Sequence, residues 1–231
     1  MLGHPDSSVL HRMNRLQHHR GPDENDVWMD EFVGFAHARL SIVDLQSSQQ
    51  PMQGPEGAVV VMNGEIYNHR QLRRHHSTYP FSTSGDTEAV LAVHQSAQHG
   101  RGALTAAEHA AWLSTLDGMY AIALWNPMTR ELILARDPMG IKPLVRTVVE
   151  TSLMFASEVK AFRAHDAHRP ELDEMAMAAR LVWEYPLDGT TLLKGVHQVR
   201  PGTVERWSLN AEGEATLLDA ANIERQALAP T

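Results

Sequence analysis

No cysteine occurs anywhere in the 231 residues. That absence removes disulfides, thiolate metal sites and every cysteine nucleophile from the chemistry this stretch of chain encodes. Long apolar runs are missing as well. No segment approaches the roughly 20 apolar residues that span a bilayer. Residues 1–20 carry His4, Asp6, His11 and Arg12 and so lack the apolar centre of a signal peptide. A continuous basic face is absent too: the formal net charge is -8, with acidic and basic residues interleaved. The short basic cluster at 70–76 reads as a solvated helix face. These absences point to a cytoplasmic protein with no membrane and no nucleic-acid partner. The 14 histidines include the adjacent pairs His18-His19 and His75-His76. Neighbours in a helix point about 100° apart, and no HxxxH with a supporting carboxylate stands out, so no metal site is expected.

What is present is an ordinary globular composition, 43% hydrophobic and 21% charged, on a chain long enough to bury a sizeable core. Periodicity predicts an amphipathic helix over 8–19, stopped by Arg20-Gly21-Pro22-Asp23. Short strands follow at 27–29, 33–37 and 39–43, then a Pro/Ser/Gly-rich loop over 44–56. The β-branched run 58–62 is a strand that leads into Asn63-Gly64, read as a turn. Helices are predicted at 68–75, 87–98 (capped by Ser84, Asp86 or Thr87) and within 100–113. Hairpins are predicted from 119–125 with 131–135, and from 144–148 with 152–156. A short helix at 158–165 precedes a helix at 172–183 with a Met-Ala stripe, then strands at 190–199 and 203–209. The last twenty residues show no obvious core partner and are expected to fray. Helices interspersed with antiparallel hairpins indicate an α+β layered fold.

Seven short blocks then occur in a fixed order. They are Arg20-Gly21-Pro22-Asp23, Arg39-Leu40-Ser41-Ile42-Val43-Asp44, Asn63-Gly64-Glu65-Ile66-Tyr67-Asn68, Ser84-Gly85-Asp86-Thr87-Glu88, Asp117-Gly118-Met119-Tyr120-Ala121, the stretch from Ala135-Arg136-Asp137 to Lys142-Pro143-Leu144, and Phe155-Ala156-Ser157-Glu158-Val159-Lys160-Ala161. In this order and spacing they resemble the N-terminal glutaminase domain of the asparagine synthetase family, a class II glutamine amidotransferase. The resemblance covers about residues 8–165. It divides the chain into a glutaminase-like domain at 1–168 and an extension at 169–231 that resembles the family's linker into its synthetase domain. The fold it implies is a four-layer αββα sandwich of antiparallel sheets, the N-terminal-nucleophile hydrolase type, here without its first strand.

A free glutamine presents a carboxylate, an ammonium and a side-chain amide. Arg39 suits the carboxylate, because a guanidinium meets it with two parallel hydrogen bonds. Asp86 and Glu65 suit the ammonium. Asn63 and the Gly64 N–H suit the oxyanion that develops on the scissile carbonyl. The resemblance assigns those roles to Arg39, Asn63, Gly64, Glu65 and Asp86, whereas Arg136, Asp137 and Lys142 read as turn or ion-pair residues.

Two departures qualify the resemblance. The family opens on a Cys-Gly-Ile strand whose cysteine attacks glutamine, and here Met1-Leu2-Gly3-His4 stands at the front, with no thiolate. The family's synthetase half opens on a pyrophosphate loop, and none occurs in these residues. No catalytic residue and no cofactor are therefore expected in this chain; ATP and Mg would belong to a separate synthetase. Three readings follow. The first is a glutaminase-like domain without catalysis, partnered by a separate asparagine synthetase-like protein or by copies of itself. The second is an active ammonia donor whose true start lies upstream. The third is a module that binds glutamine or a related amino acid without turning it over. The gap left by the missing strand is expected to be covered by the 170–231 region or a second chain.

Overall fold

The computed structural model describes residues 1–39, 49–184 and 189–224. In chain order these form α1 (Ser7–Leu16), β1 (Glu24–Met29), β2 (Gly34–Arg39), β3 (Met52–Gln53), β4 (Val59–Ile66), α2 (His69–His75), α3 (Asp86–Gln98), α4 (Ala106–Leu113), β5 (Gly118–Asn126), β6 (Glu131–Arg136), β7 (Val145–Val149), β8 (Ser152–Ala156), α5 (Glu174–Trp183), β9 (Val196–Gln198), β10 (Thr203–Leu209) and β11 (Ala215–Asn222). The pairs β1–β2, β3–β4, β4–β5, β5–β6, β6–β10, β7–β8 and β7–β9 are antiparallel, so the fold is α+β as expected. The strand expected at 39–43 and the start of the loop at 44–56 fall largely outside the described residues. Two compact units result. One comprises Met1–Ser41, Pro143–Arg200 and Ser208–Thr216; the other comprises Ile42–Lys142, Pro201–Trp207 and Leu217–Thr231.

The second unit is built on a six-stranded sheet in the order β11-β10-β6-β5-β4-β3. Tyr120, Ile122 and Leu124 of β5 share one face with Ile133 and Ala135 of β6 and Val60 and Met62 of β4. That face packs on Ala89–Val93 of α3 and on Ala110, Trp112 and Leu113 of α4. Residues of β5 on the other face are buried too, with Trp125 at 1% exposure. Burial on both faces explains the unbroken apolar run Ala121 to Trp125. α4 starts on a complete capping box, with Thr105 accepting from the Glu108 N–H and Glu108 accepting from that of Thr105.

Three expectations are corrected here. Asn63-Gly64 is not a turn, because β4 runs on through it to Ile66 and pairs with β5 along its whole length. α3 takes Gly85 as its N-cap and gains no side-chain cap bond from Ser84, Asp86 or Thr87. The chain end does not fray as far as it is described: β11 closes the sheet and Ile223 is 4% exposed. Its sequence hid this, because an edge strand half open to solvent needs little apolar alternation.

In the first unit, Asp6 caps α1 by accepting from the N–H groups of Ser8 (2.7 Å) and Val9 (3.3 Å). Val9, Leu10 and Met13 fall on one helix face and enter a core with Met154, Phe162 and Val196. β1–β2 and β8-β7-β9 form two small sheets. Residues 1–3 lie between them. Leu2 bridges both Val33 and Leu153, exchanging two backbone hydrogen bonds of 2.9 Å with Leu153. Met1 donates its amino group to Gly34 O at 2.7 Å and accepts from Gly34 N at 2.8 Å. The place of a first strand is thus filled by Met1-Leu2-Gly3 through isolated bridges, with no regular strand. The segment expected to cover it, 170–231, does not make these bridges.

Candidate functional site

The second unit brings four of the five expected glutamine residues together, where β4 outruns its short neighbour. β3 pairs only with Val59 and Val60, which leaves the following edge of β4 without a strand partner among the described residues. The N–H groups at alternate positions of a strand point to the same side. Met62 N donates to the Gln50 side chain (2.6 Å) and Ile66 N to Asp86 Oδ2 (2.9 Å). Gly64 lies between these two, so its N–H faces the same edge. Gln50 also donates to Thr87 Oγ1 at 3.2 Å. The first residues of α3 are thereby stitched to the β4 edge on either side of Gly64. Asn63 is half-buried and Glu65 exposed, one on each side of the glycine. Asn63, the Gly64 N–H and Glu65 thus lie along the β4 edge to which Asp86, the first residue of α3, is bonded through Ile66 N.

Backbone packing fixes the glycines of this edge. A Cβ on Gly64 would lie 2.1 Å from Met119 O and 2.7 Å from Tyr120 Cα, and one on Gly118 would lie 2.2 Å from Glu65 O. The two glycines let β4 and β5 approach where the site is displayed. Glu88 holds the preceding loop: Ser82 and Thr83 each donate backbone and hydroxyl hydrogens to it, at 2.7–2.9 Å. Burial acts to raise the Glu88 carboxyl, and these four hydrogen bonds bring it below the usual glutamate range. Arg73 adds a donor at 3.5 Å and covers the Phe81 ring.

Arg39, the fifth residue, belongs to the first unit, at the end of β2. Its guanidinium donates to Glu24 Oε2 at 2.9 Å, directly across the β1–β2 ladder. The arginine is 7% exposed. A buried cation requires such an anion, so Glu24 occupies the role that the resemblance gives to a substrate carboxylate. Glu24 and Gln50 were not singled out from the sequence. The register of the hairpin, with its turn at 30–33, would have placed Glu24; nothing local marks Gln50, whose partners lie 12 and 37 positions away.

Arg136, Asp137 and Lys142 build a turn. Asp137 is 1% exposed and accepts from the N–H groups of Met139, Ile141 and Lys142 at 3.0–3.1 Å. Arg136 donates to Lys142 O and Gly140 O at 2.8 Å. In the first unit Glu158 gathers His19 (2.9 Å), Arg20 (3.1 Å) and Lys160 (3.0 Å). Burial alone would raise its carboxyl; these donors bring it down to about 2. Among the described residues, no group of His, Asp and Glu is arranged to hold a metal ion, and no helix is long and apolar enough to cross a membrane.

Residues 2–216 match the glutamine amidotransferase domain family. Asparagine synthetase [glutamine-hydrolyzing] 1 of Bacillus subtilis is 35% identical over 211 residues, covering 90% of this chain and 31% of the relative. A putative asparagine synthetase [glutamine-hydrolyzing] of Mycobacterium tuberculosis is 35% identical over 240 residues, covering 97% of this chain and 35% of the relative. The chain thus spans about a third of these relatives' length. Among solved structures, the glutamine phosphoribosylpyrophosphate amidotransferase of B. subtilis, complexed with ADP and GMP, has the same fold. Its TM-score is 0.63 at 18% identity, over 97% of this chain and 48% of that one. The chain belongs to the glutamine amidotransferase domain family.

Proposed function

We propose that this chain is the glutaminase-like part of an asparagine synthetase-type amide-forming system, that it keeps a glutamine pocket, and that it does not itself hydrolyse glutamine. The observation that carries the reading is the pairing of an organised β4 edge with a sequence devoid of cysteine. Asp86 accepts from Ile66 N, Gly64 is fixed by close backbone contacts, and Asn63 and Glu65 flank it on β4, while the 231 residues contain no thiol. The residue between Val33 and Leu153, where the resemblance implies the nucleophile's strand, is Leu2, and a hydrocarbon side chain has no lone pair with which to attack. In the second unit Asp86 and Glu65 take the amino acid's ammonium; Arg39, in the first unit, offers a guanidinium for a carboxylate in competition with Glu24. Glutamine or a close analogue is therefore the ligand. The segment 169–231 serves as the connection toward a synthetase-like partner, which supplies ATP and Mg. The setting is cytoplasmic.

The test is ammonia and glutamate release from glutamine by the purified 231-residue chain. No turnover above the uncatalysed rate is expected, and enzymatic turnover would overturn the reading. The relatives' printed function, glutamine-hydrolyzing, favours a second reading, in which a natural product with a longer front supplies the cysteine. Intact-mass measurement of the protein from its source decides between the two: a mass matching 231 residues removes the second.

A further inference from the structure

α5 is apolar almost all round, yet no residue of it is buried. Its sequence, Glu-Met-Ala-Met-Ala-Ala-Arg-Leu-Val-Trp, holds two charges. Met175 is 81% exposed, Leu181 78%, Val182 71% and Trp183 55%. At about 100° per residue, Met175, Val182, Leu181 and Met177 cover an arc of about 160° on the open side, with Ala178 and, at its first turn, Glu174 within it. Such a helix has the composition of one enclosed by other elements, and clustered exposed apolar side chains mark an interaction site. The helix is firmly set. Asp173 caps it by accepting from Ala176 N at 2.9 Å, and its end is closed by Glu184 in the left-handed conformation.

We propose that α5 is the docking element for the synthetase part of the system, inserting into an apolar groove on that partner. The inference rests on the functional reading above. Two arguments choose this occupant. The synthetase relatives carry about two thirds of their length outside the part this chain matches, so in them the matching stretch is joined to a larger body. A second copy of this chain fits the helix less well. Ten residues of helix are about 15 Å long, and two such helices pressed together fall short of the roughly 800 Å² per partner of a standard interface. An arc of about 160° suits a groove that grips the helix on its flanks.

The probe is the portion of B. subtilis asparagine synthetase 1 that lies beyond its match to this chain, first shown to form asparagine from ammonia and hence to be folded. Its binding to the full 231-residue chain is measured by calorimetry or biolayer interferometry. Leu181→Asp/Val182→Asp is the test variant, and Met128→Asp, at an 83% exposed position of the other unit, is the control. Equal melting temperatures confirm that both variants fold. The expected result is binding by the parent chain, a loss of at least tenfold in the double variant, and no change in the control. Equal binding by the double variant overturns α5 as the element and leaves the partnership standing. No binding by any chain overturns both. A dimer of the chain alone, abolished by the double variant in sedimentation velocity, overturns the choice of occupant in favour of a second copy.

Discussion

Glu24 and Arg39 face each other across the β1–β2 ladder and are joined by a 2.9 Å ion pair. The arginine that the resemblance reserves for a ligand carboxylate is neutralised from within. A carboxylate ligand at Arg39 would have to displace Glu24 or share the guanidinium with it. Glu24→Gln is expected to tighten glutamine binding about threefold to tenfold, the modest value of a partly exposed pair. Arg39→Ala should abolish binding. Calorimetry decides, and absence of heat for both parent and Glu24→Gln at millimolar glutamine would end the pocket reading.

Gly64→Ala should destabilise the second unit by about 3 kcal/mol or more, because its methyl group meets backbone that cannot retreat. Gly118→Ala should behave alike, since its Cβ faces Glu65 O. Urea midpoints measure both. A loss below about 1 kcal/mol for each would mean that β4 and β5 separate more easily than their register implies.

His94 and His109 stack at 6.0 Å, each 2% exposed. Burial lowers His94 to about 4 and His109 to about 3, and Trp112 Nε1 donates to His109 Nδ1 at 3.0 Å, which places that ring's proton on Nε2. Both folded-state values lie below the unfolded value, so the unfolded chain binds protons first as pH falls. Stability is full above about 6.5 and declines through pH 5 toward 4, by on the order of 3 kcal/mol per histidine at the lower limit. His94→Gln should flatten that slope between pH 7 and 5, whatever it costs at pH 7. An unchanged slope refutes the account.

Glu158 behaves in the opposite sense. Its folded-state value lies below the unfolded one, so its contribution is present above about 4.5 and disappears as pH falls toward 2. Glu158→Gln should cost about 1 kcal/mol at pH 7, since every partner is partly exposed. The difference from the parent should vanish at pH 2–3. A difference that persists there would assign the cost to packing instead.

Local pattern carried most of the element map. The hairpins β5–β6 and β7–β8 and the helices α1, α3 and α5 were each legible from apolar spacing and turn residues. Long-range stitching was not. Gln50 acts through Met62 and Thr87, and Leu2 through Val33 and Leu153; no local periodicity encodes partners so far apart. Asn63-Gly64 misled for a physical reason. The dipeptide has the chemistry of a tight turn, but here its glycine serves the close approach of a neighbouring strand.

The first unit joins 1–41 to 143–200, with Leu2 hydrogen-bonded to Leu153 and β9 completing the sheet on β7. During synthesis the pairing of Leu2 with Leu153 must wait until about two thirds of the 231 residues have been made, while the stretch 52–136, holding four adjacent strands and three helices of the second unit, can condense early. Emergence in that order leaves Leu2 bridged to Val33 alone until Leu153 appears, and a pause in translation before residue 153 would keep one side of this segment uncovered.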